Sequence, residues 1–359
     1  MTPLARLPLL AAGFFSLAFG AAAGLVRLGW DIRLPTDALA ILHGPLMASA
    51  FFGTVISLER AVALGASWAY LGPLAAGLGG LAMICGAYSP AIGLLVAGSS
   101  IFLLVSCVVL KRQPQLHNAC LVIGAASALA GNILLASGAA VHSVTPWWIG
   151  FLVLTIAGER LELSRFMPPS PGARQIFAAI ALMLVAALAI GWRASGVCLL
   201  ALALWLGRHD VALRTIRARG LTRYIAACLL AGYAWLAIAS VIMLVRSDMQ
   251  PGQLAYDAAL HAVFLGFVFS MVFGHAPIIV PALFRVPLPY HPVFYVPLAM
   301  LHASLTLRVA VDLFGLTEWR GVTGAGNAGA LAVFIVTMLA AVLRGRKVGS
   351  NVPEKPHPG

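Results

Sequence analysis

Residues 261–284 read HAVFLGFVFSMVFGHAPIIVPALF, a run without one Asp, Glu, Lys or Arg that is closed by Arg285. A helix needs roughly 20 predominantly apolar residues to cross about 30 Å of hydrocarbon, so this stretch is long enough to span a bilayer. Working outward from it, apolar runs punctuated by charge, proline or glycine repeat along the whole chain. They give approximate spans at 7–27, 38–58, 69–88, 90–110, 119–140, 146–166, 175–192, 194–207, 223–245, 256–283, 291–314 and 322–343. The eighth is the shortest, and the break before it, at 191–195, is the weakest punctuation in the series.

Composition leads to the same place. Of 359 residues, 61% are hydrophobic and only 9% charged, whereas a soluble domain averages about 25% charged residues. Water would not tolerate so much apolar surface; lipid does, provided each backbone polar group is satisfied within the chain. The expected fold is therefore all-α: one transmembrane bundle of about twelve helices over residues 1–343. Residues 344–359, with Pro353, Pro356 and Pro358, read as a disordered tail.

The formal net charge is +12, but the basic residues lie in connections and not along a nucleic-acid-binding face. Most of the 23 Lys and Arg fall at the N-terminus, after even-numbered spans and in the tail, with the richest connection at Arg208–Arg223. The positive-inside bias then places both termini in the cytoplasm. Cys85, Cys107, Cys120, Cys198 and Cys228 form no CxxC pair and read as small buried hydrophobes, not as a zinc or disulfide framework.

Ionisable side chains inside a bilayer are costly and tend to mark function. His357, His209, His142 and His117 fall in the tail, in loops or at a span end. The other five histidines lie within spans. His43 and His261 sit about five residues into the second and tenth spans, which run in the same direction, so their imidazoles share a depth. His275 and His291 lie towards the cytoplasmic ends of spans ten and eleven, and His302 near the middle of the eleventh. His261 and His275 are 14 residues apart, nearly whole turns, and so share a helix face; His291 and His302 share another. The short connection RVPLPYHP makes spans ten and eleven antiparallel neighbours. Facing helices with inward histidines are how bundles build metal or haem sites, and imidazole is a common ligand for iron, copper and zinc. A histidine from span two opposite one from span ten would clamp a haem iron from both sides. The alternative for each of the five is a hydrogen bond to a neighbouring helix. No CxxCH or HExxH occurs, which sets aside covalent c-type haem and the common metalloprotease pattern.

Charges inside the spans are few. Glu59–Arg60 closes span two, and AGERLELSR places Glu159, Arg160, Glu162 and Arg165 at the end of span six, with Glu162 and Arg165 spaced to pair. Arg308 and Asp312 are i,i+4; they pair with each other, or Arg308 neutralises a haem propionate. Asn132 reads as polar glue between helices. A polar group near each end of spans two, six and ten forms a weak internal echo.

Three segments carry a resemblance: HGPLMASAFFGTVISLERAVALG from His43, HAVFLGFVFSMVFGHAPIIVPALFRVPLPY from His261, and LHASLTLRVAVDL from Leu301. They resemble the NnrS family, twelve-span bacterial membrane proteins that carry haem and copper and are linked to nitric oxide stress. His43, His261 and His275 fall on matching positions, with His302 and Arg308 in the helix that follows. The arrangement is also distantly similar to the haem–copper oxidase large subunit, although span six lacks its His-x3-Tyr and span seven its histidine pair. GPLM after His43 departs from the NnrS pattern, where a further histidine or acid stands. The resemblance implies a bacterial cytoplasmic-membrane protein holding b-type haem, with copper as a second metal and nitric oxide or another small gas as partner. His43 and His261 are the expected ligands, Arg308 a cofactor contact, and His302 and His275 second-site candidates. The rival reading is a secondary transporter using intramembrane His, Glu and Arg at broken helices.

Overall fold

The computed structural model describes residues 2–164, 169–246 and 249–350. Among these, twelve long helices account for the architecture: α1 (Leu7–Val26), α2 (Pro45–Leu64), α3 (Leu71–Ile84), α4 (Tyr88–Arg112), α5 (Leu116–Ala136), α6 (Val141–Leu163), α7 (Pro171–Ile190), α8 (Trp192–His209), α9 (Gly220–Val245), α10 (Leu254–Phe284), α11 (Tyr295–Phe314) and α12 (Arg320–Ser350). All but α8 are long and apolar enough to cross a membrane, some with a short 3-10 lead-in. The chain is a multi-pass helical bundle. α8 has 18 residues, about 27 Å at 1.5 Å per residue, and its ends are polar at Arg193, Arg208 and His209.

The boundaries follow local chemistry. The weak break before span eight falls at Gly191, whose φ of 142° suits a residue without a Cβ. α7 starts at Pro171, with the Ser170 Oγ accepting the Ala173 N–H at 3.3 Å. Two expected edges move. Span two begins as a long helix at Pro45, because 37–42 form a 3-10 segment leading into His43. His43 therefore stands at the mouth of α2 and not five residues inside it. The last helix continues to Ser350, past the expected tail boundary at 343. The expected Glu162–Arg165 pair, His357 and residues 351–359 lie outside the described residues.

The bundle is apolar outside as well as inside. Leu182 and Ile190 on α7, Leu204 on α8 and Leu339 on α12 are well exposed, which suits lipid and not water. Neighbouring helices approach through small residues: a Cβ at Gly98 of α4 would lie 3.0 Å from the Ala76 backbone of α3. α2, α6 and α10 touch one another in the interior. There Phe51 of α2 stacks on Phe269 of α10, with centroids 6.1 Å apart and planes 6° from parallel, and Phe52 packs beside them. Asn132 of α5 is the expected glue. Its Oδ1 accepts from Ser49 Oγ (2.8 Å) and Trp148 Nε1 (3.1 Å), and its Nδ2 donates to the Leu95 carbonyl (3.1 Å), so one side chain ties α2, α4, α5 and α6.

Candidate functional site

At the end of the bundle away from the N-terminus, a cavity of about 480 Å³ opens between α1, α2, α6, α10, α11 and α12. His43 and His261 both line it. Each histidine is followed by a π-helical segment, Pro45–Phe51 in α2 and Ala262–Phe269 in α10. π segments are rare, and they recur at functional sites because the extra residue per turn redirects side chains. The register matches as well: Phe51 and Phe269, the stacked pair, each stand eight residues after their histidine. The cavity wall is aromatic and apolar, with Phe52, Trp148, Phe264 and Phe269.

The hydrogen bonds fix the imidazole tautomers. His43 Nδ1 lies 2.6 Å from the Gly20 carbonyl, and His261 Nδ1 lies 2.7 Å from the Asp257 carbonyl. A carbonyl only accepts, so Nδ1 carries the proton in each ring and Nε2 keeps its lone pair. Metal-ligating histidines are commonly oriented in this way. The His43 ring also needs Gly24: a Cβ there would lie 2.9 Å from Nδ1. The GAAAG stretch of α1, residues 20–24, thus supplies both the acceptor and the space.

The other expected site residues have different environments. His275 Nδ1 faces the Met271 carbonyl at 2.7 Å, but its Nε2 lies 3.3 Å from Arg160 Nη1, a donor. Its second nitrogen is therefore occupied, at the opposite end of the bundle from the cavity. His302 Nδ1 accepts from Trp235 Nε1 at 3.0 Å, which puts the proton on a buried Nε2. The two are not brought together. His291 precedes α11 altogether; exposed, it accepts the Val293 N–H at 3.1 Å as a cap. Arg308 does line the cavity. Its Nε donates to Asp312 Oδ2 (2.9 Å), its Nη1 donates to the Arg320 carbonyl (3.0 Å), and its Nη2 lies 3.7 Å from Asp257 Oδ2. Arg320 pairs in turn with Asp312 (2.8 Å) and with Asp257. This quartet of two Arg and two Asp locks α10, α11 and α12 together at the rim. Arg27, on the turn after α1, also reaches the cavity.

The residues present fit a b-type haem. The volume is within the roughly 300–1,000 Å³ of cofactor pockets, the wall is largely apolar, two imidazoles offer Nε2 lone pairs, and Arg27 stands at the rim beside the already paired Arg308 and Arg320. Among the described residues no three or more His, Cys, Asp or Glu side chains gather into a metal-ligand set.

The same three inner helices carry a second polar cluster at their other ends. Arg160 of α6 donates from Nε to Asp210 Oδ2 (2.8 Å) and from Nη2 to Asp210 Oδ1 (3.2 Å). Tyr233 of α9 donates to Asp210 Oδ2 (2.8 Å), and the Ala212 N–H donates to Oδ1 (2.7 Å). Arg60 of α2 pairs with Glu159 of α6. Sequence reasoning found Arg60, Glu159 and Arg160 but not Asp210, which stands in an arginine-rich connection where a solvated role is the natural reading. It also missed Gly20, Gly24 and the π segments; GAAAG, a small-xxx-small pattern, was the one available signal for the first two.

Fold and site together define a class: a multi-pass helical membrane protein with a histidine-walled cavity at one end. A family profile described as a domain of unknown function (DUF8744) matches residues 6–343, and the chain belongs to that family. No curated protein and no solved structure matches it.

Proposed function

We propose that this chain is a b-type haem protein of the bacterial cytoplasmic membrane, NnrS-like, with both termini in the cytoplasm. The cavity would hold the haem, with His43 and His261 as the residues that would bind its iron, and the protein would serve electron transfer or the response to nitric oxide. The observation that carries the reading is two imidazoles in one cavity, each tied by Nδ1 to a backbone carbonyl and each with Nε2 left as a lone-pair donor. The Lys and Arg bias supports the orientation, which puts the cavity at the outer face.

The chain's own part is positioning. The Gly20 and Asp257 carbonyls hold the rings, Gly24 leaves His43 its space, and the Asn132 network fixes the backs of α2 and α6. Arg27, which lines the cavity, would face a propionate. The Asp257–Arg308–Asp312–Arg320 quartet keeps that rim ordered, because each carboxylate is shared between arginines. Haem held by two histidines supplies one-electron chemistry, and an open coordination position supplies gas binding. With two histidines lining the one cavity, electron transfer is the better-supported role.

The test is an absorption spectrum of the detergent-purified protein, oxidised and dithionite-reduced, with metal analysis on the same sample. A Soret band, reduced α and β bands and near-stoichiometric iron are expected. Colourless, iron-free protein from haem-replete cells would sink the proposal and move the cavity to a substrate site of a secondary transporter.

A further inference from the structure

At the arginine-rich end of the bundle a second hollow, an open groove of about 630 Å³, runs between the start of α9 and the start of α11. Arg219, Arg223, Tyr290 and Tyr295 line it, above Ile216 and Ala227, and among the described residues no acidic side chain contributes to its wall. Arg219 and Arg223 are four residues apart, about one helical turn, and both are exposed. Neither forms an ion pair or a hydrogen bond among the described residues. Arg219 is the extended N-cap of α9 and Arg223 stands in its first turn, and a like-charged pair without a neutralising carboxylate is open to an external anion. The tyrosine wall is braced: Tyr224 meets Tyr295 edge to face at 5.2 Å, and Phe294 meets Tyr290 and Tyr224, each at 5.7 Å.

We infer that this groove binds the phosphate of an anionic membrane phospholipid. Arginine forks match phosphate oxygens in geometry as well as charge. Tyrosine is at home at the membrane interface, where one end of the ring is apolar and the other wet. Ala227 lies about two turns into α9, so the groove continues from the charged boundary along the apolar helix surface, where an acyl chain would lie. That continuity is the reason to commit to a lipid and not to a free phosphate ion. The inference does not depend on haem in the distant cavity.

Native mass spectrometry of the full chain in detergent, titrated with phosphatidylglycerol or phosphatidylcholine, tests it. Phosphatidylglycerol should be retained and phosphatidylcholine released. R219Q/R223Q should weaken phosphatidylglycerol binding by about 25-fold, a fivefold loss for each arginine near a charged surface. K111Q/R112Q, which removes two charges from the same end of the bundle, should bind as the unaltered chain does. If the double variant fails to fold, R223K is read in its place; it keeps the charge but not the fork and should weaken binding several-fold. Equal retention of both lipids, an equal loss in K111Q/R112Q, or no loss in the groove variants would overturn the inference. Displacement of the lipid by inorganic phosphate at equal concentration would instead make the groove a free-anion site and overturn it too.

Discussion

The two ends of α2, α6 and α10 begin from similar sequence and finish as different chemistry. At each end the helices present ionisable groups: His43, His142 and His261 at one, Arg60, Glu159, Arg160 and His275 at the other. At the second end polar groups meet one another. Arg160 is held by both Asp210 oxygens and contacts His275, and Arg60 is held by Glu159. At the first end the two central histidines meet only backbone carbonyls through Nδ1, and a cavity stands where a partner would be. A bilayer interior charges heavily for an unmatched ionisable group. Where partners are built in, the result is a lock; where one nitrogen is left without one, the result is a site.

That contrast can be broken at either end. The largest effect expected is on the haem: His43→Ala and His261→Ala should each abolish the Soret band, while His275→Ala keeps it. If both cavity variants keep the unaltered spectrum, the ligand assignment is wrong. Next is Arg160→Ala, which strands Asp210 at a site where both side chains are at most 4% exposed. Removing one partner of a buried pair costs about 3–5 kcal/mol, to be read as a lower midpoint of thermal unfolding in detergent. In haem-free protein, His43→Ala, which removes one hydrogen bond, should cost only about 1 kcal/mol by the same measurement. Comparable losses in the two variants would erase the distinction between lock and site.

A finer probe is Gly24→Ala. Its Cβ would press on the His43 ring at 2.9 Å and 3.0 Å, so haem retention should fall by about tenfold, the equivalent of about 1.4 kcal/mol. Gly93→Ala, where a Cβ meets nothing within 4 Å, should leave retention unchanged. The smallest effect belongs to His302→Ala. It deprives the Trp235 N–H of its acceptor and should cost about 1 kcal/mol of stability, with an unaltered visible spectrum.

Much of the fold was legible because lipid simplifies the code. A crossing helix must be long, apolar and internally hydrogen-bonded, and each condition can be seen in a run such as 261–284. The break at Gly191 was the weakest punctuation in the sequence, and the structure supplies its reason, a backbone angle that glycine alone accepts at no cost. The start of α2 was not readable: residues 38–44 are apolar enough to look like span, yet Pro45 lacks the N–H that would carry a regular α-helix across it. His43 and His261 were legible as candidates through their depth. Asp210 was not, since its partner comes from a helix about fifty residues away, and neither was the carbonyl that orients His43.

The sequence by itself thus determined the membrane class, the approximate spans and the short list of intramembrane histidines, because each depends on local composition and helical period. The tertiary structure alone decided which histidines keep a free lone pair. That depends on what faces each ring, the Gly20 carbonyl for His43, Arg160 for His275 and Trp235 for His302, and such pairings are made by packing between helices distant in the chain.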